Sequence, residues 1–168
     1  MRRKIYPLQE LLEHINKERN SHLILAGGCF DIFHIGHLEY LEGAKALGGT
    51  LVVGINSDSS INRIKSKEPF FKEHQRSRII ASLECVDYVF IFDEDTLDES
   101  LFKIVPDIFA KGIDYQGKYI IESKTTKRLG IKIKLIGDEK RTSSSYISSA
   151  LIKRCHKDTE EIIEHLNS

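Results

Sequence analysis

The chain has 168 residues, with 25 Lys+Arg, 25 Asp+Glu and a formal net charge of +0 at pH 7. A chain of this length forms one domain with a substantial buried core. Its balanced charge excludes a general electrostatic affinity for nucleic acids or acidic membranes, so neither is expected as a partner. The wide spacing of Cys29, Cys85 and Cys155 argues against a disulfide framework and favours a reducing compartment.

No targeting or membrane segment is evident in the sequence. Residues 1–7 are basic but lack the apolar stretch of a signal peptide, and no apolar run approaches the length of a membrane span. We therefore expect a soluble, cytoplasmic protein. We expect a single domain over residues 1–168, made of a leading helix at 7–19, a core at 20–154 and a helical tail at 155–168.

The predicted elements alternate along the chain. Apolar residues spaced i, i+3, i+4, i+7 from Leu8 to Ile15 predict an amphipathic leading helix that starts at Pro7. Strands are then predicted at 23–26, 50–55, 87–92, 107–110 and 131–136. Helices are predicted at 36–47, 74–83, 97–105, 118–129 and 145–154. This alternation predicts an α/β fold, a Rossmann-like doubly wound five-stranded parallel sheet with helices on both faces.

Polar segments, three of which contain glycine, follow four of the predicted strands. In folds of this class, ligands bind outside the carboxyl ends of the strands. The segments are 28–37, 56–58, 111–115 and 137–145. Their convergence on one edge of the sheet indicates a binding site there.

The most informative segment runs from Gly27 to His37. A predicted strand leads into a small-residue turn, and a helix begins near His34 and His37. Their i, i+3 spacing places both imidazoles on one side of the first helical turn, where free N–H groups and the helix dipole favour an anion. The pattern predicts a polyphosphate site, with a turn or cap as one alternative. A zinc site is the other, although zinc needs three or four protein ligands and no nearby cluster supplies them.

Charged residues near two other predicted strand ends or helix starts are further candidates. Lys65 follows the second strand in a polar segment and could bind a substrate phosphate as a mobile point charge. Ser57 and Asp58 before it could equally be a helix N-cap. One of Arg76 and Arg78 could face the site, and a surface position is the alternative.

Two later segments extend the predicted site. Asp114 lies in a Lys-Gly-x-Asp-Tyr turn, where it could accept from a nucleobase amino group or a ribose hydroxyl, or cap the next helix. Arg141 precedes Thr142–Ser145 at the start of the last helix. Hydroxyl and free N–H groups at such a position form an anion cradle, and helix capping uses the same groups.

The segment Gly28–His37 resembles the His-x-Gly-His signature of the nucleotidyltransferase superfamily. The first half of the chain, from this segment through residues 42–48 and the strand that follows, is similar to glycerol-3-phosphate cytidylyltransferases. The adenylyltransferase domain of ADP-heptose synthesis resembles more of the chain, roughly residues 8–154. The shared parts are the leading helix and the segments 28–31, 40–41, 44–48, 53–58, 63–65, 75–76, 83–87, 106–107, 111–115 and 122–123. The chain departs from that family at two places: Ala26-Gly27-Gly28 stands where the family has Thr-Asn-Gly, and Ser143–Ser145 stands where it has Ser-Thr-Thr. No sugar kinase domain precedes it, so we expect a stand-alone transferase.

The resemblance implies a nucleotidyltransferase. It would join a nucleoside monophosphate from an NTP, expected to be ATP, to a sugar phosphate such as heptose 1-phosphate and release pyrophosphate. The alternatives are a glycerol-3-phosphate cytidylyltransferase that uses CTP and a non-catalytic nucleotide-binding module. Mg²⁺ is the expected cofactor, with unknown protein ligands, because it binds triphosphate oxygens and keeps several waters. A homodimer is expected because similar enzymes are commonly dimeric.

The resemblance also assigns the site residues to three groups. The catalytic group is His34, His37, Lys65 and Arg141. The residues that bind the second substrate are Asp31 and Lys65. The nucleotide-binding group is Gly28, Cys29, Phe30, His34, Gly36, His37, Arg76, Lys111, Gly112, Asp114, Tyr115, Thr142, Ser143 and Ser144.

Overall fold

A computed structural model describes residues 3–17, 22–137 and 146–155. Its helices and strands, in chain order, are α1 (Leu8–Lys17), β1 (Leu23–Gly28), α2 (Ile35–Lys45), β2 (Thr50–Asn56), α3 (Asp58–Lys65), α4 (Glu73–Ala81), β3 (Tyr88–Phe92), α5 (Asp98–Ile104), β4 (Ile108–Gly112), α6 (Ser123–Leu129) and β5 (Lys132–Ile136). Ile113–Tyr115 form one turn of 3₁₀ helix, and residues 146–155 are helical.

The strands form one parallel five-stranded sheet in the order β3-β2-β1-β4-β5. The chain builds outward from β1 to β3, then crosses back to place β4 on the other side of β1. The predicted fold class is therefore confirmed. Because the strand order reverses between β1 and β4, the carboxyl ends of these strands border a crevice suited to a ligand.

Alternating residues of β1 contribute to a core on each face of the sheet. Leu23 and Leu25 belong to a buried cluster that also contains side chains of α1 and α5. Ile24 and Ala26 belong to a second cluster, shared with α2 and α4. This alternation follows from the two-residue period of a strand. Helices on both faces bury the central strand and hold its carboxyl end rigidly.

The segment around Lys65 differs from the prediction, because it is the end of helix α3 rather than an irregular polar stretch. Only Ile61 and Ile64 are apolar in this helix, so its apolar pattern is too short to indicate one. Ser57 caps the helix by accepting a hydrogen bond from Ser60 N at 2.9 Å. The N-cap alternative for Ser57 is thus the observed role.

Several other predicted boundaries were wrong at the carboxyl ends of strands. β1 continues through Gly27 and Gly28, and β4 continues through Lys111 and Gly112, so these residues belong to strands rather than to following turns. Backbone pairing extends a strand beyond its apolar run.

The start of one helix also differs from the prediction. α6 starts at Ser123 instead of 118, because the 3₁₀ turn and its continuation occupy the intervening residues.

Two terminal predictions fall partly outside the described residues. The leading helix is observed as α1 from Leu8 to Lys17, whereas the prediction extended to residue 19. The helix predicted at 145–154 is observed over residues 146–155, and most of the tail at 155–168 is outside the description. Within the described ranges, no helix has the length and apolar character needed to cross a bilayer.

Candidate active site

A cavity of about 510 Å³ opens at the carboxyl ends of the strands. Its lining comes from the ends of β1, β2 and β4, the start of α2, the end of α3 and the segment after β3. The predicted convergence is therefore observed for the segments after β1, β2 and β4 and for Gly137 after β5, while the rest of 137–145 lies outside the described residues. The volume lies within the usual range for a small-molecule site.

The two signature histidines lie side by side at the start of α2. His34 is the N-cap residue, and its ring stacks on that of His37 with centroids 3.8 Å apart. The rings of Phe30 and Phe33 lie 5.2 and 5.7 Å from the His37 ring. Both histidines line the cavity, where the first N–H groups of a helix favour an anion. The pair can therefore donate to phosphate oxygens.

The loop before the histidines has a constrained backbone. Phe30 has φ 45°, which is uncommon for a residue with a side chain. Its ring packs where a Cβ on Gly28 would come within 3.3 Å, so a glycine suits position 28. The Cys29 Sγ lies 3.7 Å from Asn56 Oδ1 at the end of β2. Such strained conformations persist where the surrounding structure holds them, as at functional loops.

Arg76 holds this loop instead of lining the cavity. Its side chain is fully buried, and its guanidinium donates to Cys29 O at 2.6 Å, to Phe71 O at 2.9 Å and to Asp58 Oδ1 at 2.8 Å. We predicted that Arg76 binds nucleotide directly. Its three protein acceptors assign it a positioning role, while Arg78 on the same helix is exposed.

Asp31 also ties the loop to the connection between α3 and α4. It lines the cavity, but its Oδ1 accepts hydrogen bonds from Phe70 N at 2.7 Å and from Phe71 N at 3.1 Å. Only 9% of Asp31 is exposed. Any contact between Asp31 and the second substrate, as predicted, would therefore have to use the other carboxylate oxygen, Oδ2.

The end of β4 forms another wall. Lys111 is buried, with its Nζ 3.1 Å from Glu122 Oε1 and 4.7 Å from the centre of the Tyr115 ring. Gly112 lacks the Cβ that would overlap the Asp114 carboxylate, so Asp114 can fold back beside the strand end. Burial raises the pKa of Tyr115, and the charges of Glu122 and Asp114 add to the shift. Tyr115 therefore stays a neutral hydroxyl group.

The cavity brings together most of the predicted site residues. They are Gly28, Cys29, Phe30, Asp31, His34, Gly36, His37, Lys65, Lys111, Gly112, Asp114 and Tyr115. The other residues predicted for the second anion cradle lie outside the described ranges: Arg141, Thr142, Ser143 and Ser144.

Several residues of the site were missed by sequence reasoning. Tyr40 donates to Ala110 O at 2.8 Å and accepts from Gly27 N at 3.4 Å, linking the ends of β4 and β1, and burial raises its pKa. Asp95 and Thr96 line the cavity after β3. The strand-end rule would have found both, had it been applied to the third strand as to the others.

Comparisons with known proteins decide the family. The model of the family described as Cytidylyltransferase-like matches residues 25–155. The chain belongs to this family. This cytidylyltransferase-like chain is accordingly a nucleotidyltransferase, and its stacked histidines lie at the start of α2.

Relatives of this cytidylyltransferase-like chain include longer proteins. A bifunctional protein HldE of Helicobacter pylori strain J99 is 46% identical over 156 residues, which cover 92% of this chain and 32% of the relative. The protein of the same name from Syntrophotalea carbinolica is 37% identical over 148 residues, covering 88% and 30%. The chain thus spans about a third of the length of these relatives.

Solved structures share the fold. A lipopolysaccharide core biosynthesis protein from Thermoplasma volcanium has a TM-score of 0.62 and 30% identity, covering 72% of this chain and 100% of that one. A pantoate-beta-alanine ligase from Francisella tularensis has a TM-score of 0.59 and 16% identity, covering 83% and 69%. The second likeness is one of fold alone.

Proposed function

We propose that this nucleotidyltransferase moves an adenylyl group from ATP to a sugar 1-phosphate such as heptose 1-phosphate. The stacked His34–His37 pair at the helix start is the observation that carries the nucleotidyl-transfer chemistry. The choice of ATP and sugar rests on the resemblance to the adenylyltransferase domain of ADP-heptose synthesis. The relatives named HldE and the neighbour named for lipopolysaccharide core biosynthesis support that choice.

In the proposed reaction, a phosphate oxygen of the sugar phosphate attacks the α-phosphorus of ATP. A new P–O bond forms as the bond to the bridging oxygen of the β-phosphate breaks, and pyrophosphate leaves with that electron pair. The nucleophile is already anionic, so neither a general base nor a covalent enzyme intermediate is required. Catalysis then consists of in-line positioning and charge stabilisation, with His34 and His37 donating to the phosphate oxygens.

The two substrates would occupy different halves of the cavity. Asp114 and Tyr115 at the end of β4 would bind the base or the ribose. Lys65 at the end of α3, on the other side of β1, would bind the acceptor phosphate. Arg141 and Ser143–Ser144 would hold the departing pyrophosphate.

The side chains that line the cavity indicate how the proposed Mg²⁺ would be bound. No group of three or more His, Cys, Asp or Glu side chains in the described ranges could hold a metal ion. The cavity carboxylates of Asp31 and Glu122 are already hydrogen-bonded. This set of side chains fits a cation held mainly by triphosphate oxygens and water. When bound, Mg²⁺ would neutralise triphosphate charge.

Pyrophosphate release tests the proposed function. The chain is mixed with each NTP and with a panel of sugar 1-phosphates and glycerol 3-phosphate, and pyrophosphate is measured. We expect turnover with ATP and a sugar 1-phosphate, and the Lys-Gly-x-Asp-Tyr resemblance predicts ATP above CTP. Faster reaction of CTP with glycerol 3-phosphate would support the glycerol-phosphate alternative, and no release with any pair would support a non-catalytic module.

Lys65→Ala should weaken acceptor binding more than nucleotide binding. Lys65 ends α3 on the acceptor side, and a lysine ammonium offers a point charge to phosphate but no base recognition. We expect a higher KM for the sugar phosphate, an almost unchanged ATP affinity and a lower kcat if the contact tightens in the transition state. Lys67→Ala, an exposed lysine just beyond the helix, is the matched control. Weakened ATP with unchanged sugar-phosphate binding would assign Lys65 to the triphosphate.

Cys29→Ser should keep substantial activity. Cys29 lines the cavity, but direct displacement needs no thiol, and its Sγ packs near Asn56. Steady-state rates and intact-protein mass spectrometry after mixing with ATP measure the outcome, with Cys85→Ser as the control outside the cavity. A nucleotidyl group trapped on Cys29 would refute the direct mechanism.

A further inference from the structure

Residues 93–97 follow β3, and three of them, Asp95, Thr96 and Leu97, line the cavity on the proposed acceptor side. Leu97 anchors them and is only 3% exposed. Its side chain lies over Gly27 of β1 and Gly54 of β2, which are register partners. A Cβ on Gly27 would overlap Leu97 Cδ1, and one on Gly54 would lie 3.1 Å from Leu97 Cδ2. Because both positions are glycines, the Leu97 side chain can pack against β1 and β2, and this packing places the segment across the ends of the strands.

The same segment is hydrogen-bonded to α3. Arg63 Nε donates to Asp95 Oδ1 at 2.8 Å, and Ser60 Oγ donates to Glu94 O at 2.9 Å. Because α3 ends at Lys65, these contacts place Asp95 beside the helix that carries the lysine. Lys65 and Asp95 therefore lie on two segments that are hydrogen-bonded to each other.

This half of the cavity combines one cation with a hydrogen-bond acceptor. Lys65, Asp95, Thr96 and Asn56 all line it. Arg63 occupies Asp95 Oδ1, and no donor in the described part of the chain is bonded to Asp95 Oδ2. A lysine binds phosphate, whereas a carboxylate accepts from hydroxyl groups and repels a second anion. The arrangement suits a phosphate ester that carries hydroxyls and no further charge.

We propose that Asp95 determines acceptor specificity by accepting a hydrogen bond from a sugar hydroxyl, while Lys65 binds the acceptor phosphate. The inference rests on the proposed sugar-phosphate function and adds the residue that distinguishes a hydroxylated acceptor. A carboxylate that bonds a hydroxyl of the preferred acceptor discriminates against an analogue that lacks it. The discrimination is moderate here, because the Asp95 side chain is 55% exposed and water can replace the missing hydroxyl. Arg63 supports the role by holding Asp95 in place.

The test compares Asp95→Asn and Asp95→Ala with the wild-type chain. The probes are ATP with hexose 1-phosphates and their single-deoxy analogues, and Glu94→Gln is the matched control one residue away. We expect Asp95→Asn to lower kcat/KM for the preferred acceptor by about 10- to 100-fold, with an unchanged KM for ATP. For the analogue that lacks the recognised hydroxyl, variant and wild type should be equally slow. A merely structural role would not produce this non-additivity.

The outcomes separate this inference from the proposed function. Equal losses on hydroxylated and deoxy acceptors, or a matching loss in Glu94→Gln, would overturn the role of Asp95 and leave the function intact. If the wild type released no pyrophosphate with any sugar 1-phosphate, the function and this inference would both fail. Circular dichroism checks folding. If Asp95→Ala does not fold, Asp95→Asn decides, because it keeps the size of the side chain and an acceptor for Arg63.

Discussion

His34→Ala and His37→Ala should each lower kcat by about 100-fold or more, the scale expected when a donor to the transition state is lost. The two rings stack at 3.8 Å and line the cavity at the start of α2, so each can face the phosphates as charge develops. Single-turnover and steady-state pyrophosphate release measure the effect. His74→Ala, an exposed histidine at the start of α4, is the control and should keep full activity.

The fold of both histidine variants should survive, because their side chains line the cavity and belong to neither core cluster. Unchanged far-UV circular dichroism and urea midpoints would show this. Near-wild-type turnover in both variants would contradict the phosphate-binding role of the pair. If an alanine variant does not fold, the glutamine variant at the same position is measured instead. Glutamine keeps a hydrogen-bond donor.

Arg76→Met should lower the free energy of unfolding by about 3–5 kcal/mol, the range measured when one partner of a buried ion pair is removed. The variant leaves Asp58 without its buried partner and leaves the carbonyl groups of Cys29 and Phe71 without their donor. Urea unfolding at constant m-value measures the change. Arg78→Met removes an arginine two positions along the same helix, from its exposed side.

The control should change the unfolding free energy by less than about 0.5 kcal/mol, as is usual for exposed positions. Equal stability of the two variants would show that the Arg76 contacts contribute little. Because Arg76 bonds to the loop that precedes the histidines, any Arg76→Met protein that folds should also have reduced turnover. Arg76→Lys keeps the charge but not the three-way geometry of the guanidinium, so we expect only partial recovery.

Strands β1 to β4 were predictable because each contains a short buried apolar run, whereas the edge strand β5 alternates lysine with apolar residues. Buried parallel strands are apolar on both faces, so they are visible without knowledge of their partners. Their carboxyl ends were not predictable in the same way. Gly27, Gly28, Lys111 and Gly112 continue strands through backbone pairing, to which an apolar pattern gives no signal.

The histidine pair was predictable for a different reason, since i, i+3 residues of a helix are neighbours whatever the rest of the fold does. The role of Arg76 depends on Cys29, which is 47 residues away in the sequence. The position of Asp95 depends on Arg63, which is 32 residues away. Contacts at such separations are set by the order of the strands, and the sequence pattern indicated alternation without indicating that order.

The ion pair between Lys111 and Glu122 makes the charge of the cavity differ between its two ends. At the β4 end, the ammonium group is neutralised within the wall, and Asp114 adds negative charge. At the other end, the start of α2 and Lys65 are positive. A ligand with one anionic and one uncharged end therefore has one favourable orientation here, with its phosphates toward the histidines. Replacing Glu122 by glutamine would leave the Lys111 charge without its ionic partner and would weaken that polarity, while the Asp114 carboxylate would remain.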